Sequence, residues 1–263
     1  MTDHILIEKS AGVLTLTMNR PEKKNALTRA MYQALGDAID QAEFDDDVRC
    51  VLIQANGDMF TAGNDLADFA AVNAGDSGAN EARRDGNPLL AALARAKTPL
   101  VAAVNGRAVG VGTTMLLHCD LVYVAENALL TTPFVNLALV PEAASSLTLP
   151  NRIGHARAFS MFVLGEAVDA RKALDWGIAN EVVPLADLRA KALSAAQAVA
   201  ARPPAAVVIT KALMREGLGV AQRMDEEGLH FAAQLKSPEA KEAFAAFAEK
   251  RAPDFSPKMS GVA

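Results

Sequence analysis

The 263-residue sequence has few of the residues that build disulfide frameworks, metal clusters or membrane spans. Its two cysteines, Cys50 and Cys119, each lie inside an apolar run, where a free cysteine behaves as a small buried hydrophobe. The four histidines are scattered without metal-ligand spacing, so no metal site is predicted. No apolar run approaches the ~20 residues that cross a bilayer, and the first residues lack the pattern of a signal peptide. We therefore expect a cytoplasmic protein without a membrane partner.

Basic residues are also fewer than acidic ones. The chain has 26 Lys and Arg against 31 Asp and Glu, a formal net charge of −5. Sequence-independent binding of nucleic acid needs a basic face, so no nucleic-acid partner is expected. Local lysines can still bind an anion, so a phosphate-bearing ligand stays open. With 51% hydrophobic residues the chain can form one large domain, alone or with a helical annex.

The sequence is organised around residues 100–120. A buried strand is predicted over residues 100–104, followed by a turn with Gly106, Gly110 and Gly112 and then a helical stretch. Glycines let a backbone approach a ligand closely, and a helix N-terminus offers unpaired N–H donors to a developing oxyanion. Taken alone, the pattern is equally consistent with glycines chosen only for close packing.

The flanking segments predict an α/β body with a helical tail. Residues 5–8 and 13–18 have the pattern of a hairpin, Thr28 that of a helix N-cap, and residues 185–251 that of consecutive helices. Residues 73–87 are rich in glycine and polar side chains without an apolar period, and are predicted to form a mobile loop or lid.

Glu142 is the single acidic residue between Glu126 and Glu166, and its neighbours are uncharged. A carboxylate among apolar groups has a raised pKa and can move a proton near neutrality. The alternative is that Pro141 and Glu142 simply begin a helix. The sequence lacks a complete dinucleotide fingerprint, a phosphate loop and a nucleophile elbow, and we interpret His118 as the end of a helix, not part of a triad.

Three segments carry a family resemblance: residues 19–27 (Asn-Arg-Pro-Glu-Lys-Lys-Asn-Ala-Leu), residues 60–66 (Phe-Thr-Ala-Gly-Asn-Asp-Leu) and residues 99–120. Together they resemble the first CoA loop, the second motif and the central signature of the crotonase family, the enoyl-CoA hydratase/isomerase superfamily. The resemblance implies an α/β fold, a spiral of ββα units. Residues 1–190 would form the core with the acyl-CoA site, and residues 191–263 a C-terminal helical region that assembles a homotrimer or a dimer of trimers.

The resemblance also implies the chemistry. The substrate would be an acyl-CoA thioester, such as those of fatty acid metabolism. No metal is implied, and no cofactor beyond the coenzyme A of the substrate. Two backbone N–H groups, at Ala62 and Val111, would hold the thioester oxygen as an oxyanion hole.

Departures from the family pattern indicate which reaction is catalysed. Members that hydrate enoyl-CoA use two glutamates, and this chain has Thr114 and Phe134 at those positions, which would line the acyl pocket instead. The sequence around Phe134 and Glu142 resembles the Δ3,Δ2-enoyl-CoA isomerase branch, in which one glutamate moves a proton from C2 to C4. That branch usually has glycine where this chain has Ala143.

The resemblance further assigns CoA contacts to Lys24, Ala26, Leu27, Asn64, Asp65, Leu66 and Lys250. For Lys24 and Lys250 the alternative is a solvated surface charge. Other functions also stay open: hydration, thioester hydrolysis or C–C cleavage with a base from the 73–87 loop (Asp76, Glu81 or Asp85), and acyl-CoA binding without catalysis.

Overall fold

The computed structural model describes residues 3–65, 87–215 and 219–256. Within them the strands are β1 (Ile5–Ser10), β2 (Val13–Met18), β3 (Cys50–Ala55), β4 (Leu100–Val104), β5 (Arg107–Val109), β6 (Leu121–Ala125), β7 (Leu129–Thr131), β8 (Val168–Asp169) and β9 (Glu181–Val183). The α-helices are α1 (Arg29–Ala42), α2 (Pro88–Arg95), α3 (Val111–Thr114), α4 (Ser145–Ile153), α5 (His155–Phe159), α6 (Ala170–Asp175), α7 (Leu188–Ala200), α8 (Pro204–Arg215), α9 (Val220–Gln234) and α10 (Pro238–Glu249). Short 3-10 turns lie at Pro21–Lys23, Met115–His118 and Val135–Leu137, and a π-helical turn lies at Ser160–Leu164.

The main sheet has the strand order β1-β2-β3-β4-β6-β9. The predicted hairpin is confirmed, because β1 and β2 pair antiparallel with Ser10 opposite Val13. Ala11 and Gly12 both have positive φ, 49° and 79°, as a two-residue hairpin turn requires. The remaining pairs, β2–β3, β3–β4, β4–β6 and β6–β9, are parallel. The sheet therefore has the mixed, mostly parallel character of an α/β protein, as predicted.

Both faces of the central strands are covered. One face packs with α1 and α2, where Leu35, Val51 and Leu93 are almost fully buried. The other packs with α7 through small residues such as Ala192 and Ala196. This double burial explains why β4 is apolar throughout, since a parallel strand covered on both faces has no solvent side.

Cys50 and Cys119 are both buried and free, as the sequence predicts. Burial is the largest effect on each thiol and raises both pKa values to about 12. The two thiols therefore stay neutral at pH 7, in the form that packs as a small apolar side chain.

A second, three-stranded sheet has the order β5-β7-β8 and was not predicted. β5 is three residues long and lies within the glycine-rich turn, so it has no apolar period of its own. The turn from β4 into β5 needs glycine at Gly106, which has φ +60°, because a Cβ there would lie 2.0 Å from the carbonyl oxygen of Asp58. This close approach brings β5 against residues 58–61.

The C-terminal helices fold back over the body. The expected boundary at residues 190/191 falls inside α7, which packs on the main sheet, so the core extends through that helix. Beyond it, Lys211 of α8 is buried and donates to Asp120 at 2.7 Å, while α9 packs on α4 and α10 on the Val135–Leu137 turn. No single described helix is long and apolar enough to cross a membrane; α7 and α8 together pass that test by length and composition, but they meet at a 105° bend.

Candidate active site

Two of the predicted motifs run side by side. Thr61 and Ala108 form a parallel bridge in which the N–H of Val109 donates to the carbonyl of Thr61 at 3.1 Å. The segments are so close that a Cβ at Gly63 would lie 2.9 Å from the carbonyl oxygen of Val109, and one at Gly112 would lie 2.5 Å from Thr61 Cγ2. The glycines therefore serve close packing between the motifs, whether or not they also serve a ligand.

Ala62 is not an available oxyanion donor in this structure, which corrects the sequence-based assignment. Its N–H donates to the carbonyl oxygen of Lys24 at 2.9 Å. An amide already bonded to a carbonyl cannot donate to a substrate oxygen without breaking that bond, at a net cost of about 1 kcal/mol.

The backbone N–H of Asn64, unlike that of Ala62, does not donate to the first loop. Its two neighbours bond to Leu27, since the carbonyl of Gly63 accepts from the Leu27 N–H at 2.8 Å and the N–H of Asp65 donates to the Leu27 carbonyl at 3.0 Å. In a parallel bridge the intervening residue directs its own N–H to the opposite side. The Asn64 N–H therefore points away from Leu27, and Tyr32 fixes the side chain by donating from its hydroxyl to Asn64 Oδ1 at 2.5 Å.

Val111 is the first residue of α3, and the first N–H groups of a helix have no acceptor within it. Gly110 precedes it with φ 56° and ψ −114°, and the Gly110 carbonyl accepts from the N–H groups of Thr113 and Thr114. Val111 thus lies at a helix start beside the 60–65 segment.

Glu142 does not begin a helix, so the structural alternative raised by the sequence is wrong. Two residues in the left-handed region follow it, Ala143 with φ 64° and Ala144 with φ 53°, and α4 begins only at Ser145. Each such alanine costs roughly 1–2 kcal/mol relative to an ordinary backbone conformation. Glu142 is half-buried, and its Oε1 atom is shielded from solvent.

His118 holds the backbone that follows Glu142. Its Nε2 lies 2.8 Å from the carbonyl oxygen of Ala143. Burial is the main cause that lowers the pKa of His118 to about 4, so the ring is neutral at pH 7. A carbonyl oxygen only accepts, so Nε2 carries the hydrogen and donates it. His118 ends a 3-10 turn, as predicted, but its contact with the Ala143 carbonyl could not be predicted from local residues.

Glu227 of α9 reaches the same loop from the other side. Its side chain is 5% exposed, and its Oε1 accepts from the N–H of Ser146 at 2.8 Å. Burial raises the pKa of this carboxyl, against the lowering effect of its hydrogen bonds to Ser146. Sequence reasoning missed Glu227, because it lies 81 residues from its partner in an ordinary amphipathic helix.

Thr114 and Phe134 are buried, and neither is a titratable acid. The Thr114 hydroxyl has only a long contact of 3.5 Å with the carbonyl of Val111. The ring of Phe134 lies 6.2 Å from that of Phe162 and also faces Gly110, since a Cβ at Gly110 would meet Phe134 Cε1 at 3.9 Å. This part of the candidate site is therefore an apolar wall next to the glycine turn.

The residues assigned to CoA lie in two places. Lys24 is exposed and pairs with Asp58 at 2.7 Å, whereas Asp65 forms a mostly buried ion pair with Arg20 at 2.6 Å. Arg20 also donates to the carbonyl of Ala26 at 3.0 Å, within its own loop. Through its ion pair with Asp65, Arg20 joins the first loop to the second motif. Lys250 is exposed at the C-cap of α10, and no contact among the described residues joins it to this group.

Leu66 and most of the predicted 73–87 loop, with Asp76, Glu81 and Asp85, lie outside the described residues. The last residue of that loop, Asn87, caps α2 by accepting from the Leu90 N–H at 3.2 Å. Within the described ranges, no group of three or more His, Cys, Asp or Glu side chains is arranged to hold a metal ion.

Comparison with known proteins gives this arrangement its family. Residues 8–258 match the family model described as enoyl-CoA hydratase/isomerase. The chain belongs to that family. The enoyl-CoA hydratase/isomerase from Pseudoalteromonas atlantica T6c is similar over 97% of this chain and 100% of its own, with a TM-score of 0.89 and 45% identity. The crotonase fold with C-terminal helices, predicted from the motifs, is confirmed.

The relatives of this enoyl-CoA hydratase/isomerase family member carry several activities in their names. The 1,2-epoxyphenylacetyl-CoA isomerase of Escherichia coli is 34% identical over 98% of this chain and 100% of its own length. The enoyl-CoA delta isomerase 2 of Rattus norvegicus is 37% identical over 81% of this chain, which spans 54% of that longer protein. Relatives of similar identity are named as hydratases. The chain is thus an acyl-CoA-processing enzyme of the crotonase superfamily.

Proposed function

We propose that this protein is a Δ3,Δ2-enoyl-CoA isomerase that uses Glu142 as its acid and base. The observation that carries the proposal is the contrast among three positions: Glu142 is a carboxylate with a shielded oxygen, whereas Thr114 and Phe134 offer no second acid. Hydration needs one group to activate water and another to protonate carbon, while isomerisation moves a single proton. One glutamate suffices for isomerisation.

The reaction balances with that one group. Glu142 removes a proton from C2, and the electron pair of the broken C–H bond spreads over C2 to C4 and the thioester oxygen. The same carboxyl then returns the proton to C4. The double bond ends between C2 and C3, Glu142 is again a carboxylate, and no water is consumed.

The N–H groups of Asn64 and Val111 would stabilise the intermediate enolate, in place of the pair assigned from the motif alone. Support comes from the direction of the Asn64 N–H, away from Leu27, and from the position of Val111 at the first turn of α3. A donor of this kind contributes roughly 3–4 kcal/mol to the transition state in other enzymes. Tyr32 would position Asn64 through its hydrogen bond to the side chain.

We also propose that coenzyme A is bound as part of the substrate, along the loop that contains Lys24, Ala26 and Leu27. No permanently bound cofactor or metal enters the reaction. Self-association into trimers or hexamers is proposed through the C-terminal helices, because several of their large apolar side chains are exposed. These are Ile209, Leu213, Met214 and Leu229.

The test starts from 3-enoyl-CoA and follows the ultraviolet absorbance of the conjugated 2-enoyl thioester. Wild type should produce it, and Glu142→Gln should lower kcat by about 10²–10⁴-fold, the usual contribution of a general acid or base. Glu126→Gln, at an exposed glutamate after β6, is the matched control and should leave the rate unchanged.

Each alternative has its own readout in the same samples. Thioester hydrolysis releases free CoA thiol, and hydration yields a 3-hydroxyacyl-CoA. Binding of CoA esters without any conversion would indicate a non-catalytic protein. Absence of the conjugated product in wild type overturns the isomerase proposal.

A further inference from the structure

The loop that presents Glu142 is closed by a local hydrogen bond, from the N–H of Ser145 to the Glu142 carbonyl at 3.1 Å, but the helix that follows has no side-chain cap of its own. Ala143 and Ala144 both lie in the left-handed region, and Ala144 is the N-cap of α4. Alanine has no side-chain oxygen to accept from the first N–H groups of the helix, which serine, threonine or aspartate would provide. The N–H of Ser146, in the first turn of the helix, therefore needs an acceptor from elsewhere in the chain.

Glu227 provides the missing cap from a distant helix. Its Oε1 accepts from the N–H of Ser146, in the first turn of α4, at 2.8 Å. A carboxylate at a helix N-terminus accepts a charge-assisted hydrogen bond and is favoured by the helix dipole. Glu227 therefore does for α4 what an N-cap side chain at Ala144 would do.

The adjacent Glu226 shows that this burial is specific. Glu226 is exposed and pairs with Arg223 one turn away at 3.2 Å. Glu227 is 5% exposed, and its carboxyl faces the backbone N–H groups of Ala144 and Ser146 at the start of α4. Burying a carboxylate is unfavourable unless such donors satisfy it, so stability of α9 alone does not explain the burial of Glu227.

α9 is itself fixed to the body. Its Met224 and Phe231 are partly buried against the main hydrophobic core. The backbone after Glu142 is thus held at two points: the Ala143 carbonyl by His118 from the core, and the Ser146 N–H by Glu227 from the C-terminal region. The two hydrogen bonds therefore lie on either side of Ala144, the second of the two left-handed alanines.

We infer that Glu227 is a positioning residue for catalysis, which holds the start of α4 and thereby aims the Glu142 carboxylate at the substrate. The inference rests on the proposed role of Glu142. It assigns the C-terminal helices a part in the proton transfer of their own subunit, in addition to any part in assembly.

The experiment compares Glu227→Ala, Glu227→Gln and the matched control Glu226→Ala, each on the full chain and on folded protein checked by circular dichroism. Glu227→Ala should lower kcat by about 10–100-fold, the scale expected when a catalytic group is displaced by about 1 Å. KM should stay within roughly twofold, because no group that binds CoA is changed. Glu227→Gln keeps an acceptor for Ser146 and should recover most of the rate, and Glu226→Ala should match wild type.

A kinetic isotope effect separates positioning from mere stability. With substrate deuterated at C2, misplacement of Glu142 slows proton removal, so the isotope effect on kcat should rise in Glu227→Ala and not in Glu226→Ala. The inference is overturned if folded Glu227→Ala has the wild-type kcat, or if kcat falls only with the folded fraction and the isotope effect is unchanged. It is equally overturned if Glu227→Gln loses as much as the alanine variant.

A second assay separates this inference from the proposed function. If wild type does not isomerise 3-enoyl-CoA, the isomerase proposal fails, and exchange of the C2 protons of saturated butyryl-CoA in D₂O is measured instead by NMR. Slower exchange in Glu227→Ala than in Glu226→Ala then supports the positioning role. Equal exchange in the two variants, or none in wild type, overturns it.

Discussion

The two halves of the candidate site are built by different means. The donor half, residues 60–65 and 107–111, is made of backbone, and its geometry follows from glycines that let two segments touch. The base half is one side chain, Glu142, on a loop held by His118 and Glu227. The first half therefore depends on residue types at local positions, and the second on contacts between distant segments. Substitutions should affect them differently.

The largest stability effect is expected where a C-terminal helix is anchored beside the base half. Lys211 is 6% exposed and pairs with Asp120 at 2.7 Å, two residues after His118. Lys211→Met should lower the free energy of unfolding by about 3 kcal/mol, because Asp120 loses its closest cation and the buried carbonyl of Thr98 loses its donor. Urea denaturation measures the change.

Arg95→Met is the control for this ion pair. Arg95 and Asp40 lie 2.9 Å apart, a similar distance, but both are well exposed, so the change should cost less than about 1 kcal/mol. Similar losses in the two variants would contradict the view that Lys211 anchors α8 to the body.

The donor half should be most sensitive to an added methyl group. Gly63 has φ +87°, and a Cβ there would lie 2.9 Å from the carbonyl oxygen of Val109. Gly63→Ala should cost about 2–3 kcal/mol of stability, from backbone strain and overpacking together, and should also lower activity. Thermal unfolding and the absorbance assay report the two effects.

Gly177 separates strain from contact. It follows α6 in the left-handed conformation that often ends a helix, with φ +78°, and among the described residues nothing lies within 4 Å of the added Cβ, so Gly177→Ala isolates the strain. We expect a loss of about 1 kcal/mol and unchanged activity. An equal loss in both variants would show that close approach of the two motifs contributes nothing.

Much of the donor half could be predicted from the sequence, because a glycine requirement is local. The error at Ala62 has a physical cause: which N–H faces a ligand depends on pairing with Lys24 and Leu27, and those contacts are tertiary. For the base half, Glu142 stood out by its uncharged neighbours. The residues that hold the Glu142 loop could not be predicted, because His118 and Glu227 contact it across sequence separations of 25 and 81 residues.

The base half should also respond to acid. The folded pKa of His118 is lowered by burial to about 4, below the ordinary value of 6.5. Above pH 6.5 the residue is neutral in both states and has no effect. As the pH falls from 6.5 to 4 the unfolded state takes up the proton first, so stability is lost on the order of 2 kcal/mol.

His118→Gln keeps a donor for the Ala143 carbonyl and does not titrate. The difference in unfolding free energy between pH 7 and pH 4.5 should therefore be smaller in His118→Gln than in wild type. Identical pH dependence in the two proteins would contradict a neutral, buried His118.

The smallest effect is expected at Ala143. Ala143→Gly removes the strain of an alanine in the left-handed region but makes the unfolded chain more flexible. The two effects on the free energy of unfolding oppose each other, so the net change should be within about 1 kcal/mol. If Glu227 and His118 hold the loop, kcat should change little. A large fall in kcat would show that the alanine itself maintains the loop, and would place the control of Glu142 in the local sequence.

The most direct test of the account follows a deuterium label. 3-Enoyl-CoA deuterated at C2 is converted in a single turnover, and the product is analysed for deuterium at C4 by NMR. If Glu142 alone carries the proton, part of the label appears at C4 in wild type and none in Glu142→Gln. Product whose C4 hydrogen comes entirely from solvent, or label transfer that survives in Glu142→Gln, would contradict the single-base mechanism.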